Sequence, residues 1–231
     1  MNPWTIDSPT ARLPGLCQGV YLAEVASIDD PAQLARVQVR LFNFDGVDGH
    51  DGPVWARVAC PFAGNNRGAF LIPDVGDEVL VSFVGGDSRF PIVHGGLWNG
   101  QSSTPEQISG GRNLRKVIRS KNGVKLTLED QDGQEKFVAE TPGGQRITLQ
   151  DGPGKITIED SNGNSIEMAS AGITITGAAK VTVNAPQVAV SAGMVQVDAA
   201  MSKFSGVVQC DTLIATSVVS TSYTPGAGNI W

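Results

Sequence analysis

Three aspartates in a glycine-rich stretch, Asp45, Asp48 and Asp51 among Gly46, Gly49, His50 and Gly52, are the first residues able to do chemistry. Carboxylates spaced along a flexible loop suit a hard cation. Their spacing matches no EF-hand loop, so we read them as an exposed hairpin tip. His94-Gly95-Gly96 has the composition of a segment that supplies oxyanion donors in acyl transfer, yet no Gly-x-Ser-x-Gly turn accompanies it. His94 is read as finishing a strand, and Gly86-Asp87-Ser88 as a turn. Gly152-Pro153-Gly154-Lys155 has a phosphate-loop flavour but lacks Ser or Thr after the lysine, and Ile156 opens a strand pattern where a helix is needed. It is read as a corner. No catalytic residue, cofactor site or metal-ligand set is assigned.

The chemistry-bearing residues are sparse, and the elements around them carry the stronger signal. From Val124 to about Leu213 one pattern recurs: two β-favouring residues separated by one other, then a short polar or glycine-bearing break. The pairs are Leu126/Leu128, Phe137/Ala139, Ile147/Leu149, Ile156/Ile158, Ile166/Met168, Ile173/Ile175, Val181/Val183, Val188/Val190 and Val195/Val197. Each pair predicts a short strand whose two apolar residues share a face. The breaks, such as Asp132-Gly133, Pro142-Gly143-Gly144 and Asn162-Gly163-Asn164, supply the backbone conformations of sharp corners.

Strands this short need a partner to stack on. A single-chain solenoid with three repeats per coil would be a stub roughly 18 Å tall, whereas three intertwined chains, each repeat climbing one strand spacing, make a needle roughly 50 Å long. We prefer the trimer, with strands of the three chains alternating up each face, because it gives every apolar pair two equivalent neighbours. Its expected core is Ile156, Ile158, Ile173, Ile175, Val181, Val183, Val188, Val190, Val195 and Val197. The late repeats are mostly Val, Ala, Thr, Ser and Gly, which predicts a taper toward the C-terminus.

Upstream, prolines at 3, 9 and 14 suggest an extended arm over residues 1–14. Alternating strands are predicted at 19–28, 36–44, 54–60, 77–84 and 90–97, with glycine and aspartate turns and no helical periodicity. Five such strands suggest a small closed barrel of the OB type over residues 15–100. A Ser-, Gln- and Gly-rich linker covers 101–116, the repeat 117–222, and a tail 223–231. The net charge of −6 argues against a nucleic-acid binder, since phosphate contacts need clustered Lys and Arg. Cys17, Cys60 and Cys210 lack metal-ligand spacing and read as mostly buried thiols of a protein made in a reducing cytoplasm.

The run Trp55-Ala56-Arg57-Val58, then Pro61-Phe62-Ala63-Gly64-Asn65-Asn66-Arg67-Gly68, then residues 72–83 and 85–99 resemble the OB domain of phage baseplate assembly protein V and the Vgr-type spikes. The barrel followed by a repetitive β-prism is that family's architecture, so the resemblance spans essentially the whole chain. It implies an all-β homotrimer, with an N-terminal OB barrel and a C-terminal intertwined triple-stranded β-helix. Such a trimer is the central spike of a contractile tail or injection system, a structural part pushed through a target envelope and not an enzyme. The implied partners are a baseplate hub, expected as a separate polypeptide, and a PAAR-type tip protein. The end of the chain is similar to the ends of injection-system spikes, and Tyr223, Pro225, Ile230 and Trp231 are the candidate tip-binding residues. The implied location is a bacterial cytoplasm during synthesis and then a virion tail or injection particle.

Some features depart from the family pattern. Ala35 stands where a glycine is frequent, expected only to stiffen that turn, and Asn122-Gly123-Val124 lacks a frequent histidine. Paired histidines that bind iron at some spike tips have no counterpart, since His50 and His94 lie far upstream. The alternative is an OB module binding single-stranded nucleic acid or glycan, with the repeat as spacer. It needs a basic groove with interleaved aromatics, for which Trp55, Phe62, Arg57 and Arg67 are the few candidates. An enzyme cutting surface polysaccharide would want paired carboxylates, and the late repeats carry only Asp198 at their edge.

Overall fold

The computed structural model describes residues 17–44 and 52–222. The first strands are β1 (Val20–Ser27), β2 (Val37–Leu41), β3 (Val54–Val58), the two-residue strands β4 (Ala63–Gly64) and β5 (Arg67–Gly68), β6 (Glu78–Phe83) and β7 (Pro91–Gly96). Five of them close a barrel in the order β1-β2-β3-β7-β6. All neighbours are antiparallel except β3 and β7, which run parallel through Arg57 to Ile92 and Val58 to Val93. Closure leaves no free strand edge, and irregularities between Val25 and Ser27 and between Leu80 and Val81 bend the strands around it. β4 and β5 form a separate hairpin turned by Asn66 at φ 54, a conformation asparagine tolerates better than most residues.

Alternation puts every second side chain inside. Ala23 and Val25, Val37 and Val39, Ala56, Val79, Val81, Phe83 and Val93 form one buried cluster. The interior is narrow and almost entirely valine and alanine, β-branched or small residues that suit a tightly curved strand. Tyr21 packs edge-on to Phe83 at 5.5 Å between ring centroids and lies beside Phe44.

The loop from β1 to β2 is organised by one buried carboxylate. Asp30 accepts hydrogen bonds from the backbone amides of Ala32 (3.0 Å), Leu34 (2.9 Å) and Arg36 (3.3 Å), and from Arg36 Nε (3.1 Å) and Nη2 (2.6 Å). The Arg36 guanidinium, more than the amides, holds the Asp30 carboxyl well below the usual carboxylate range. Arg36 also lies over the Trp55 ring, 5.6 Å from its centroid. The tight loop puts Gln33 at φ 53 and Ala35 at φ 55. Ala35 therefore occupies the left-handed region that favours glycine, and the expectation that alanine merely stiffens this turn is corrected: it strains it.

Seven further strands form a second sheet: β8 (Arg115–Arg119), β9 (Lys125–Glu129), β10 (Lys136–Glu140), β11 (Arg146–Gln150), β12 (Lys155–Glu159), β13 (Ser165–Ala169) and β14 (Gly172–Thr176). They are hydrogen-bonded in sequence order, every pair antiparallel. Over residues 115–176 each strand thus takes its partners from its own chain instead of alternating with strands of other chains. Short glycine turns make the reason plain, because the next strand folds straight back beside the last. Antiparallel succession equally rules out solenoid coils here, whose stacked strands run parallel.

Residues Thr182–Trp231 form a separate compact unit from Met1–Val181. Its described part, 182–222, carries no assigned strand, and all its side chains are exposed. The arm 1–14, the Asp45/Asp48/Asp51 loop with His50, and the tail residues Tyr223, Pro225, Ile230 and Trp231 lie outside the described residues.

Candidate functional site

The second sheet follows a five-residue plan: a charged or polar residue, an apolar one, Thr or Val, another apolar one, and a polar one. Lys125-Leu126-Thr127-Leu128-Glu129 and Lys155-Ile156-Thr157-Ile158-Glu159 are the purest examples. Because pairing is in register, like positions align across all seven strands. One ladder runs Ile118, Leu126, Ala139, Ile147, Ile158, Ile166, Ile175, and a second runs Lys116, Leu128, Phe137, Leu149, Ile156, Met168, Ile173. The six apolar pairs visible in the sequence between residues 126 and 175 are the rungs of these ladders. They share one face, on which Lys116 at the first strand is the only charged position.

This apolar face is open. Leu128, Ile147, Leu149 and Ile158 are between 42% and 52% exposed, and Ile173 and Ile175 reach 68% and 61%. Covering a half-exposed Leu or Ile contributes roughly 1 kcal/mol, so the two ladders together represent on the order of 10 kcal/mol per chain. A bare apolar surface of this extent marks an association site.

The opposite face is built differently. Its central column, Val117, Thr127, Val138, Thr148, Thr157, Glu167 and Thr174, is flanked by charged residues from β8 to β12, and Thr127 and Val138 are only 8% and 6% exposed. Glu129 lies between Arg115 (3.5 Å) and Lys136 (3.8 Å), Arg146 meets Glu140 at 3.8 Å, and Lys155 meets Glu167 at 2.8 Å. This face carries its own ion pairs.

Three turns along one edge repeat the same geometry. Backbone bonds run from Ser120 to Val124 (2.8 Å), Thr141 to Gln145 (3.0 Å) and Asp160 to Asn164 (3.1 Å), and Gly123, Gly144 and Gly163 take φ 92, 87 and 85. Asp160 accepts from the Asn164 side chain (2.8 Å) and amide (3.0 Å) and from the Asn162 amide (2.9 Å). These bonds, foremost the Asn164 side chain, lower its pKa to about 2. A Cβ on Gly123 would come 3.1 Å from Pro142, and one on Gly144 3.0 Å from Ser161, so each turn rests on the next.

The residues singled out for chemistry take structural places. His94 lies in β7, and its Nε2 is 2.6 Å from Ser82 Oγ on β6. The sequence held no sign of this pair, since its members come together only through β6 and β7 pairing. Among the described residues no carboxylate bonds the other ring nitrogen, and the pair sits on the barrel's outer surface. Asp87 is gripped by Arg89 through Nε (3.0 Å) and Nη2 (2.6 Å), which lowers its pKa to about 2 and fixes the turn at Gly86-Asp87-Ser88. Gly152 and Gly154, at φ 80 and 59, turn β11 into β12, with Lys155 as the first residue of that strand. Among the described residues no group of three or more His, Cys, Asp or Glu could hold a metal. The cysteine expectation is corrected: Cys17 is half-buried, but Cys60 and Cys210 are exposed. Cys60 follows the end of β3 and donates to the Phe62 carbonyl at 3.2 Å, while Cys210 lies where no strand covers it.

A closed OB-type barrel followed by an in-register meander with one bare apolar face defines an all-β protein that couples a barrel to a trimerisation sheet. Residues 21–98 match the type VI secretion system/phage-baseplate injector OB domain, and residues 136–196 match the phage baseplate V C-terminal trimerisation domain, together more than half of the chain. The chain belongs to this phage baseplate V and Vgr-type spike family. Among its relatives, the type VI secretion system spike protein VgrG4b of Pseudomonas aeruginosa is 36% identical over 149 residues, 59% of this chain and 18% of that protein. VgrG1c of the same organism is 31% identical over 127 residues (51% and 17%), and VgrG3 of Vibrio cholerae 35% over 88 residues (36% and 9%). The chain spans less than a fifth of the length of these relatives. Among the described residues no helix is long and apolar enough to cross a membrane.

Proposed function

We propose that three copies of this chain form the central spike of a contractile tail or injection machine, driven through a target envelope when the machine fires. The observation that carries this is the pair of apolar ladders, exposed along residues 118–175 and lacking a cover within their own chain. Three such faces turned to a common axis bury one another and leave the three ion-paired faces in water. The core then includes Ile156, Ile158, Ile173 and Ile175. It continues through Val181, Val183, Val188, Val190, Val195 and Val197, where strand partners would have to come from the other chains.

In this reading the domain limits are arm 1–14, barrel 15–100, linker 101–116, trimerising needle 117–222 and tail 223–231. The chain acts by assembly and load-bearing, without catalysis, metal or cofactor. The barrel end meets a baseplate hub, and Tyr223, Pro225, Ile230 and Trp231 dock a PAAR-type tip. Three apolar tails gathered at one end would expose three tryptophans, a surface that favours a cap.

Light scattering with small-angle X-ray scattering on the purified chain tests the central point. A mass of three chains with a rod-like profile is expected, resistant to mild denaturant or detergent because separation requires all three chains to part. A stable compact monomer would overturn it. Deleting residues 223–231 is expected to leave the trimer intact and abolish capture of the tip protein.

A further inference from the structure

The barrel sends one hairpin away from its wall. After β3 the chain leaves the barrel at Ala59, forms the β4–β5 hairpin, and returns at Ile72, which packs against the barrel core. Every residue from 59 to 68 is exposed. Two paired residues on each strand are too few to hold a hairpin unaided. Its tip is polar, with Asn65, Asn66 and Arg67, but its base carries Phe62, Phe70 and Leu71, between 61% and 77% exposed. Large apolar side chains clustered on a projecting hairpin mark a contact. Arg67 has no ion partner among the described residues.

We propose that this hairpin docks on a second copy of the chain, against the β9–β10 turn of the neighbouring sheet, an inference that rests on the trimer reading above. The root of the hairpin is tied to its own sheet: Asp74 meets Lys121, in the β8–β9 turn, at 3.5 Å. Leu71 is three residues from Asp74, so their Cα atoms lie within about 11 Å of each other. The hairpin therefore stands over the edge formed by the turns at 120–124, 141–145 and 160–164. When three sheets close around one axis, that edge of one copy meets the opposite edge of the next. The opposite edge begins with the β9–β10 turn. There Asp130 is held by Lys116, while Asp132 and Glu135 are exposed and have no cationic partner among the described residues. At the end nearest the barrel, one edge thus brings Arg67 and Lys121, and the other Asp132 and Glu135. Unlike charges meet at every corner of the trimer, and like charges would meet if two equal edges were joined. The ladder residues closest to the acidic turn are Leu128 and Phe137, so Phe62, Phe70 and Leu71 of the adjacent copy extend the same apolar interface toward the barrels.

The test uses the full chain with Arg67→Lys, assembled from equal amounts of isotopically light and heavy chains and treated with a carbodiimide, which joins an amine to a carboxylate in direct contact. Mass spectrometry is expected to find the peptide carrying residue 67 joined to residues 126–136, with about half of the pairs mixing light and heavy. Pairs of one isotope only, or no link between these peptides, would overturn the proposal. Hydroxyl-radical labelling of Phe62 and Phe70 gives a second reading. It is expected to rise about threefold in Asp132→Arg/Glu135→Arg trimers and to return to the parent level when Arg67→Glu is added. Equal labelling in all three trimers would mean that the hairpin is free or reserved for another protein, and the assignment would fall. Light scattering on the same samples separates the two readings: a monomeric parent removes the trimer and this contact together, whereas a trimer with an unprotected hairpin removes this contact alone.

Discussion

The barrel and the sheet are made from the same strand material and solve opposite halves of the folding problem. The barrel curls until its apolar side chains meet each other, so Val25, Val39, Val79, Val81 and Val93 are fully buried within one chain. The sheet satisfies its backbone as fully, strand by strand, yet stays open, and its Leu and Ile ladders remain half in water. The closed barrel is complete alone; the sheet completes its hydrogen bonds but not its hydrophobic core. Residues 182–222 complete neither among the described residues. Dependence on other copies thus rises along the chain, and this gradient is what a spike assembled from prefolded heads would need.

The difference can be broken at either end. A charge in the barrel core, Val81→Asp, is expected to unfold the barrel outright, because burying an unpaired carboxylate costs several kcal/mol; thermal melts of the purified variant check it. The same charge on the sheet, Ile158→Asp, should leave barrel circular dichroism unchanged while the mass falls from three chains to one. If both variants unfolded together, the regions would not be independent. Next in size, Gly144→Ala combines φ 87 with a contact of 3.0 Å to Ser161 and should destabilise the trimer by about 2 kcal/mol per chain, read from denaturant midpoints.

Acid sharpens the comparison at smaller amplitude. Asp160 has its pKa lowered from 3.8 to about 2. Its contribution is therefore present above pH 3.8 and lost as pH falls toward 2. Asp160→Asn should flatten the acid dependence of sheet stability across that window and leave the barrel's unchanged, as followed by melting at several pH values. The smallest effect is expected at Ala35→Gly. Relief of the left-handed conformation outweighs the added chain entropy by about 0.5 kcal/mol, a rise of a few degrees in barrel melting temperature.

Much of this was legible beforehand because alternation is a local signal. The five barrel strands fall within a few residues of their predicted spans, and the pairs from Leu126/Leu128 to Ile173/Ile175 became the rungs of the two ladders. What escaped was non-local or atypical. β8 lies upstream of the first repeat recognised, because its pair is Lys116/Ile118 and the lysine hides the period. The pairing of successive repeats within one chain depended on turn geometry that composition alone does not specify. The bracket around Asp30 and the strain at Ala35 needed six residues of loop to fold before either carboxylate or methyl had neighbours. Ser82 and His94 met only through a strand pairing.

The stacked turns at one edge of the sheet have a consequence for how such proteins change over generations. The turns recur at residues 120–124, 141–145 and 160–164, two strands apart each time, and each leans on the next through Pro142 and Ser161. A hairpin duplicated or lost between two of these turns returns the chain to the same edge and the same parity. Leu and Ile stay on the inner face, Lys and Glu on the outer, and the sheet grows or shrinks by two strand spacings, about 9.6 Å. Length is therefore a trait this architecture can alter in whole hairpins, while the barrel, closed on itself, has no corresponding place to add one.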